Sequence, residues 1–170
     1  MLSIRVEAER CTGCRLCEVV CSIAHSGEGA LVAALRAELP FPRVRVLGSD
    51  SGYGLAVCRH CERPRCVDGC VSGALYVDPQ EGIVDVDPER CVGCWSCVME
   101  CPFGAITLIT ADHGPFEATR ATKCDGCRDI GAPLCLRFCP TGALRGADGA
   151  RGLAGETRRS RARRLAGGEG

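Results

Sequence analysis

Residues 91–102 read CVGCWSCVMECP, and this stretch decides the fold. Its four thiols are separated by two, two and three residues, and a proline follows the last of them. Bacterial proteins that bind 4Fe-4S clusters use this spacing, in which three thiolates hold one cluster and the fourth reaches a second. One such run therefore predicts a partner run elsewhere in the chain.

Three further quartets of cysteine supply that partner. Residues 11–21 repeat the spacing, whereas the other two quartets have four and seven residues before their third thiol. All sixteen cysteines fall into the four quartets: Cys11, Cys14, Cys17 and Cys21; Cys58, Cys61, Cys66 and Cys70; Cys91, Cys94, Cys97 and Cys101; Cys124, Cys127, Cys135 and Cys139. We predict that all sixteen are ligands and that the protein binds four 4Fe-4S clusters.

Zinc and disulfide bonds are the alternative uses of so many thiols. Structural zinc typically takes two C-x-x-C pairs a longer stretch apart, and it needs neither a third closely spaced thiol nor the proline. The two looser quartets stay open to zinc on spacing alone, and the count of four complete quartets favours clusters. Disulfides would need oxidising surroundings, whereas residues 1–10 carry no apolar export signal, so a cytoplasmic location is expected.

Composition and charge narrow the class of protein. A chain of 170 residues with 4% aromatic residues is poorly equipped to build a large apolar core. No stretch approaches the roughly 18 apolar residues of a membrane span. The formal net charge is zero, but four oxidised clusters with their thiolates would add roughly −8, which argues against nucleic acid as a partner. Residues 146–170 are the basic part, with six arginines against three acidic residues.

Hydrophobic patterns predict short elements between the quartets, and thus an α+β chain. The predicted strands are 2–6, 43–47, 74–78, 83–87, 105–110 and 116–121, the last four forming two hairpins; a helical turn at 18–23, an amphipathic helix at 28–39 and a loop at 48–54 complete the prediction. From residue 146 onward the chain is too poor in apolar residues to fold alone and is predicted to be disordered or bound to a partner.

The order and spacing of the quartets resemble the four-cluster ferredoxin-like subunits of dimethyl-sulfoxide reductase, formate dehydrogenase and polysulfide reductase. The opening CTGCRLCEVVCSIAHSG, residues 11–27, is similar to the small electron-transfer subunits of carbon monoxide dehydrogenase and tungsten aldehyde oxidoreductase. The resemblance covers about residues 1–145. It implies two bacterial-ferredoxin-like dicluster modules, an outer one of residues 1–57 plus 102–145 and an inner one of residues 58–101. The family's proline after the second quartet is replaced here by Val71.

The same resemblance implies which thiols share a cluster. In that family the first and last quartets exchange their fourth thiols, and so do the two inner quartets. The implied ligand sets are Cys11, Cys14 and Cys17 with Cys139; Cys124, Cys127 and Cys135 with Cys21; Cys58, Cys61 and Cys66 with Cys101; Cys91, Cys94 and Cys97 with Cys70.

No catalytic constellation accompanies the thiols: the chain has no phosphate-binding glycine loop and no nucleophile paired with a base. We therefore expect an electron-transfer subunit without a catalytic site, linking a large catalytic subunit to a flavin subunit or another redox partner. Tungsten aldehyde oxidoreductase is the leading catalytic partner by resemblance. Carbon monoxide dehydrogenase, a molybdenum enzyme and a free-standing polyferredoxin are the alternatives. The basic tail and acidic body also suggest end-to-end self-association of copies.

Other residues beside the thiols admit two interpretations. We expect His25, His60 and His113 either to lie on the surface or to contact the ligating residues without binding the metal themselves, because each cluster already has four thiolates. Trp95 is expected to shield a cluster from water. Arg15, Arg90 and Lys123 would either offset anionic clusters or be solvated surface charges.

Overall fold

The computed structural model describes residues 3–26, 40–50, 52–111, 118–146 and 149. The predicted helix at 28–39, His113 and the tail from residue 150 lie outside these residues. The strands within them are β1 Ile4–Val6, β2 Val44–Ser49, β3 Gly52–Val57, β4 Leu75–Val77, β5 Val84–Val86, β6 Thr107–Ala111, β7 Ala118–Thr122 and β8 Leu144–Gly146. The helices are α1 Leu16–Ala24, α2 Arg65–Asp68, α3 Ser96–Glu100 and α4 Leu134–Arg137, with 3-10 turns at Ala8–Arg10 and Arg128–Ile130.

The strands pair into four antiparallel ribbons, β1 with β8, β2 with β3, β4 with β5 and β6 with β7. Each ribbon has two strands in the part of the chain that is described. An isolated two-stranded ribbon is at best marginally stable in water. The ribbons must therefore draw their stability from what is packed between them.

The ribbon of β1 and β8 joins the two ends of the cysteine-rich body. Ile4 pairs with Gly146 and Val6 with Leu144, and the side chains of Ile4 and Leu144 are both buried. Glu7, just after β1, forms an ion pair with Arg145 in β8. This pairing brings the first quartet beside the last one.

The two predicted hairpins are present, with slightly different bounds, as β4–β5 and β6–β7. The predicted loop at 48–54 is wrong, because β2 continues to Ser49 and β3 starts at Gly52, with a register from Val44↔Val57 to Ser49↔Gly52. Two glycines weaken the strand signal of GYGLAV. Pairing with β2 and burial of Ala56 and Val57 outweigh that local preference.

Helix α1 is longer than the single turn predicted at 18–23, because it runs from Leu16 to Ala24. It packs against α4 and β2 and buries Cys21 and Ser22. Short helices gain most of their stability from such tertiary contacts, which the local sequence does not reveal. No helix in the described ranges is both long and apolar enough to cross a membrane.

Two small apolar clusters lie between the ribbons. The first gathers Ile4, Val44, Val57, Leu136 and Leu144 together with buried thiols. The second gathers Leu75, Val84, Ile106 and Ala121 around Cys97. Cysteines are members of both clusters, so the chain packs around its thiols.

Candidate metal centres

Two tight loops begin the first and third quartets, and each depends on a glycine. Gly13 and Gly93 have φ values of +68° and +67°. A Cβ at Gly13 would lie 2.5 Å from the ring of Tyr53, and one at Gly93 would lie 2.6 Å from the carbonyl oxygen of Thr119. Only glycine combines this left-handed backbone with so close an approach.

A left-handed residue also starts the helix that follows each of these loops. Arg15 precedes α1 with φ 58°, and Trp95 precedes α3 with φ 67°. Residues other than glycine rarely adopt this conformation, and it is typical of functional sites. The turn places the third thiol, Cys17 or Cys97, inside the first turn of the helix.

The sixteen thiols converge in four groups of four, and no disulfide bond forms among them. The Cys58 group surrounds a cavity of about 220 Å³, and the Cys11 group lines a second cavity. Cys70, Cys91 and Cys94 all help to raise the pKa of Cys97, and Cys21, Cys124 and Cys127 help to raise that of Cys135, so each set lies close together. The groups are Cys58, Cys61, Cys66 and Cys101; Cys11, Cys14, Cys17 and Cys139; Cys91, Cys94, Cys97 and Cys70; Cys124, Cys127, Cys135 and Cys21.

Each group takes three thiols from one quartet and the fourth from another. Helix α3 shows how this happens, because Cys97 lies within it and Cys101 directly follows it. Cys97 belongs to the Cys91 group, whereas Cys101 lines the cavity of the Cys58 group. A single turn of helix therefore sends neighbouring thiols to two different groups.

Burial makes several of these thiols poor anions when they stand alone. It raises the pKa of Cys66 and of Cys97 to about 11, with neighbouring thiols adding to the shift. Burial likewise raises the pKa of Cys17 and of Cys124 to about 12. Four buried thiolates together need a bound cation to offset their charge, and a metal deprotonates the thiols it binds.

Backbone N–H groups already point at several sulfur atoms. Arg43 donates its backbone N–H to the Sγ of Cys21 and Leu75 donates to Cys70, both at 3.3 Å. At Cys70 partial burial favours a raised pKa, but hydrogen bonds from Leu75 and its neighbours outweigh burial and lower the pKa. Donors aimed at sulfur are typical of iron–sulfur ligands, whose reduction potentials they tune.

These features fit an iron–sulfur centre in each group. Four free thiols converge in each group, those of the Cys58 group line a cavity, and N–H donors stabilise sulfur in its anionic form. A zinc site would need four thiols around one ion, with no requirement for the cavity of about 220 Å³ in the Cys58 group.

Comparison with known families decides between these chemistries. A family model described as a 4Fe-4S dicluster domain matches residues 52–148, more than half of the chain. A second model, described as a 4Fe-4S binding domain, matches residues 8–29. The chain belongs to the 4Fe-4S dicluster family. The predicted iron–sulfur chemistry is thereby confirmed.

Relatives of this chain include electron-transport proteins and oxidoreductase subunits. The electron transport protein HydN of Escherichia coli strain K12 is 37% identical over 83% of this chain and 85% of its own length. The B subunit of anaerobic dimethyl sulfoxide reductase from the same strain is 34% identical over 82% of this chain and 69% of its own. The putative oxidoreductase UacF, also of that strain, is 35% identical over 84% of this chain and only 20% of its own length. The chain is thus an iron–sulfur electron-transfer protein, as its cysteine pattern predicted.

An ion-pair network lies beside the Cys124 group. Asp125 accepts a hydrogen bond from Nε2 of His25 at 3.2 Å and forms an ion pair with Arg43. The bond to Asp125, then that to Cys21, raises the pKa of His25 to about 10. His25 directly follows α1 and lies four residues after Cys21, so helical periodicity could have predicted that the two residues are close.

Two buried polar side chains lie beside the Cys58 group. His60 is 1% exposed and Lys123 is 3% exposed. Burial, followed by the charge of Lys123, lowers the pKa of His60 to about 4. Their burial excludes the surface alternative for His60 and the solvated alternative for Lys123, and it leaves the other alternative expected for each. No sequence pattern near these residues signals their burial.

Proposed function

We propose that the protein binds four 4Fe-4S clusters, one in each thiol group, and relays electrons within an oxidoreductase complex. Bound clusters would supply one-electron redox chemistry over a wide range of potentials. The chain itself would have no catalytic site and would act in the cytoplasm. Its body would divide into the outer module, residues 1–57 plus 102–145, and the inner module, residues 58–101.

The observation that carries this proposal is the convergence of the sixteen thiols into four crossed groups. Each group has the four sulfur ligands that one 4Fe-4S cluster requires. Every group draws on two quartets, so ligation would tie distant parts of the chain together. The four ligand sets are those that resemblance to four-cluster subunits implies.

The positions of the groups suggest a linear relay. Cys17 of the Cys11 group helps to raise the pKa of Cys135 in the Cys124 group, so these two groups are neighbours. Cys58 helps to raise the pKa of Cys124, so the Cys58 group is a neighbour of the Cys124 group as well. The Cys58 and Cys91 groups pack against one apolar cluster. The proposed order is the Cys11 group, the Cys124 group, the Cys58 group and the Cys91 group.

The two ends of this order carry the exposed thiols of the chain. Among the sixteen cysteines, Cys14 of the Cys11 group and Cys94 of the Cys91 group are the exposed ones. Exposed apolar side chains, Val92, Trp95 and Met99, surround Cys94 in the sequence. Trp95 is 57% exposed, so it leaves much of its own surface open to a partner. We infer that electrons enter and leave at these two ends.

The relatives support a catalytic partner. The dimethyl sulfoxide reductase relative is by its name one component of a larger enzyme, and UacF carries a region like this body within a much longer oxidoreductase. We propose a large catalytic subunit at one end and a flavoprotein subunit or another redox carrier at the other. Tungsten aldehyde oxidoreductase is the first candidate, and carbon monoxide dehydrogenase or a molybdenum enzyme follows. End-to-end stacking of copies through the basic tail belongs to the same proposal.

A free-standing polyferredoxin is the second candidate. It is favoured by HydN, which is named an electron transport protein and matches over most of its length. Affinity purification of the tagged protein from its native host separates the two candidates. A subunit co-purifies with a larger oxidoreductase subunit in fixed stoichiometry, whereas a polyferredoxin is recovered alone.

Serine substitutions test the crossed ligand sets. We expect the reduced, anaerobically prepared protein to show four one-electron couples in an EPR-monitored redox titration. Cys97→Ser should alter the couple that Cys70→Ser alters, and Cys101→Ser the one that Cys66→Ser alters. If Cys97→Ser and Cys101→Ser alter the same couple, the crossed arrangement is wrong. Fewer than four couples in the unaltered protein would refute the four-cluster proposal itself.

A further inference from the structure

Lys123 is a buried cation held against the wall of one metal site. It lies between β7 and Cys124, and its side chain is 3% exposed. Its Nζ donates hydrogen bonds to the carbonyl oxygen of Val84 in β5 and, at 3.0 Å, to that of Cys124. Val84 also lines the cavity of the Cys58 group. The ammonium is thus held against Val84, a residue of the cavity wall.

No carboxylate among the described residues lies within 4.0 Å of the Lys123 ammonium. Asp85 and Asp125 line a polar cavity together with Lys123, but Asp85 pairs with Arg128 and Asp125 with Arg43. Removing an ammonium from water costs several kcal/mol unless an anion offsets it. Two carbonyl groups satisfy two of its three donors but supply no net negative charge.

The charge of Lys123 acts on the Cys58 group. Burial raises the pKa of Cys58, and Lys123 is the strongest influence in the opposite direction. His60, between Cys58 and Cys61 in the sequence, is close to the same cation, because the charge of Lys123 adds to burial in lowering the pKa of His60.

Cations near the other groups differ from Lys123. Arg43 and His25, beside the Cys124 group, both pair with Asp125, whose single carboxylate offsets one unit of their positive charge. Arg15, beside the Cys11 group, is exposed, so water and salt screen it. Arg63 lines the cavity of the Cys58 group, but it is exposed as well.

We propose that Lys123 is the built-in countercharge of the metal site formed by Cys58, Cys61, Cys66 and Cys101, and that it selectively raises the reduction potential of that site. The inference depends on the proposed cluster in this group. Reduction adds one electron to an already anionic site, and a buried cation stabilises the added charge more than a screened one does. Lys123 thus acts on the site through its positive charge and does not ligate the metal.

The test compares EPR-monitored redox titrations of the holo-protein and three variants, Lys123→Met, Lys123→Arg and Arg63→Met. Met removes the charge of Lys123 at similar length, Arg retains it, and Arg63→Met removes an exposed charge from the same cavity. Cys66→Ser identifies the couple of the Cys58 group. Iron and sulfide content is measured for every sample, so that a lost cluster is not mistaken for a shifted one.

We expect Lys123→Met to shift the couple identified by Cys66→Ser downward. At the unaltered midpoint potential, the ratio of oxidised to reduced site should rise at least about tenfold, equivalent to ~59 mV for a one-electron couple. Lys123→Arg and Arg63→Met should shift it much less. The couple of the Cys124 group, whose Cys124 carbonyl oxygen accepts a hydrogen bond from Lys123, should shift less than that of the Cys58 group, and the remaining two couples should stay nearly unchanged. An unshifted couple, or an equal shift of all four, would overturn the inference and indicate a structural role.

Loss of iron in Lys123→Met is also informative. If Lys123→Arg then restores full iron content and a potential close to the unaltered one, charge is the required property and the inference holds. If Lys123→Arg also loses iron, Lys123 is needed for its shape and the inference fails. The proposed function is judged separately, by four couples in the unaltered protein.

Discussion

Gly93 and Gly82 separate two reasons for which a position needs glycine. Their φ values are +67° and +64°, so alanine would strain the backbone at both. A Cβ at Gly93 would also collide with the carbonyl oxygen of Thr119, 2.6 Å away, whereas nothing lies within 4 Å at Gly82. The close contact between the third thiol loop and β7 therefore requires glycine at position 93, whereas at position 82 only the backbone conformation favours glycine.

We predict that Gly93→Ala lowers the free energy of unfolding by about 2–5 kcal/mol, and Gly82→Ala by about 1–2 kcal/mol. The difference is the cost of the collision with Thr119. Guanidinium unfolding of the anaerobic holo-protein, followed by circular dichroism and visible absorbance, measures both losses. Equal losses for the two variants would show that backbone strain alone is at work.

Individual thiols could be predicted from the sequence, but the residues behind them could not. Spacing singled out the cysteines of the first and third quartets as candidate ligands, the count of four complete quartets added the other eight, and the structure gathers all sixteen in groups of four. The burial of Lys123 depends on Val84, which is 39 residues earlier in the chain. A single cation before a thiol loop carries no sign of such a distant partner.

At the scale of elements, turn chemistry was a reliable guide and glycine-rich strands were not. Residues 79–82, PQEG, are typical of a turn, and β4–β5 lies around them as predicted. β3 was missed because its pairing with β2 and its packing on Gly13 come from tertiary structure. Helix α3 has five residues, yet it determines which group receives Cys97 and which receives Cys101.

The ribbon of β1 and β8 gives the second stability prediction. Leu144 is buried in the first apolar cluster beside Ile4, whereas Leu47 in β2 is 51% exposed. We predict that Leu144→Ala lowers the free energy of unfolding by about 2–5 kcal/mol. The matched Leu47→Ala change should stay within about 0.5 kcal/mol. The same guanidinium unfolding measures both, and a small loss at Leu144 would mean that the ribbon does not hold the two ends together.

At the scale of the whole molecule, thiols and short ribbons take the place of a conventional core. The buried apolar side chains are mostly small, and no Phe, Tyr or Trp is buried in the described residues. Metal binding in such a protein contributes directly to folding free energy. The short helices and strands and the iron–sulfur class followed from the sequence. The crossing of the quartets came from resemblance, because spacing alone does not say which distant run supplies a fourth thiol.

The central claim, that inorganic clusters are the core of this protein, is tested most directly by iron and acid-labile sulfide analysis combined with circular dichroism before and after anaerobic chelation. We predict about sixteen iron and sixteen sulfide per chain, from four clusters of four each. Cooperative unfolding should disappear once the iron is removed, because the small apolar clusters cannot hold the ribbons together alone. A protein that is poor in iron yet unfolds cooperatively would contradict the account.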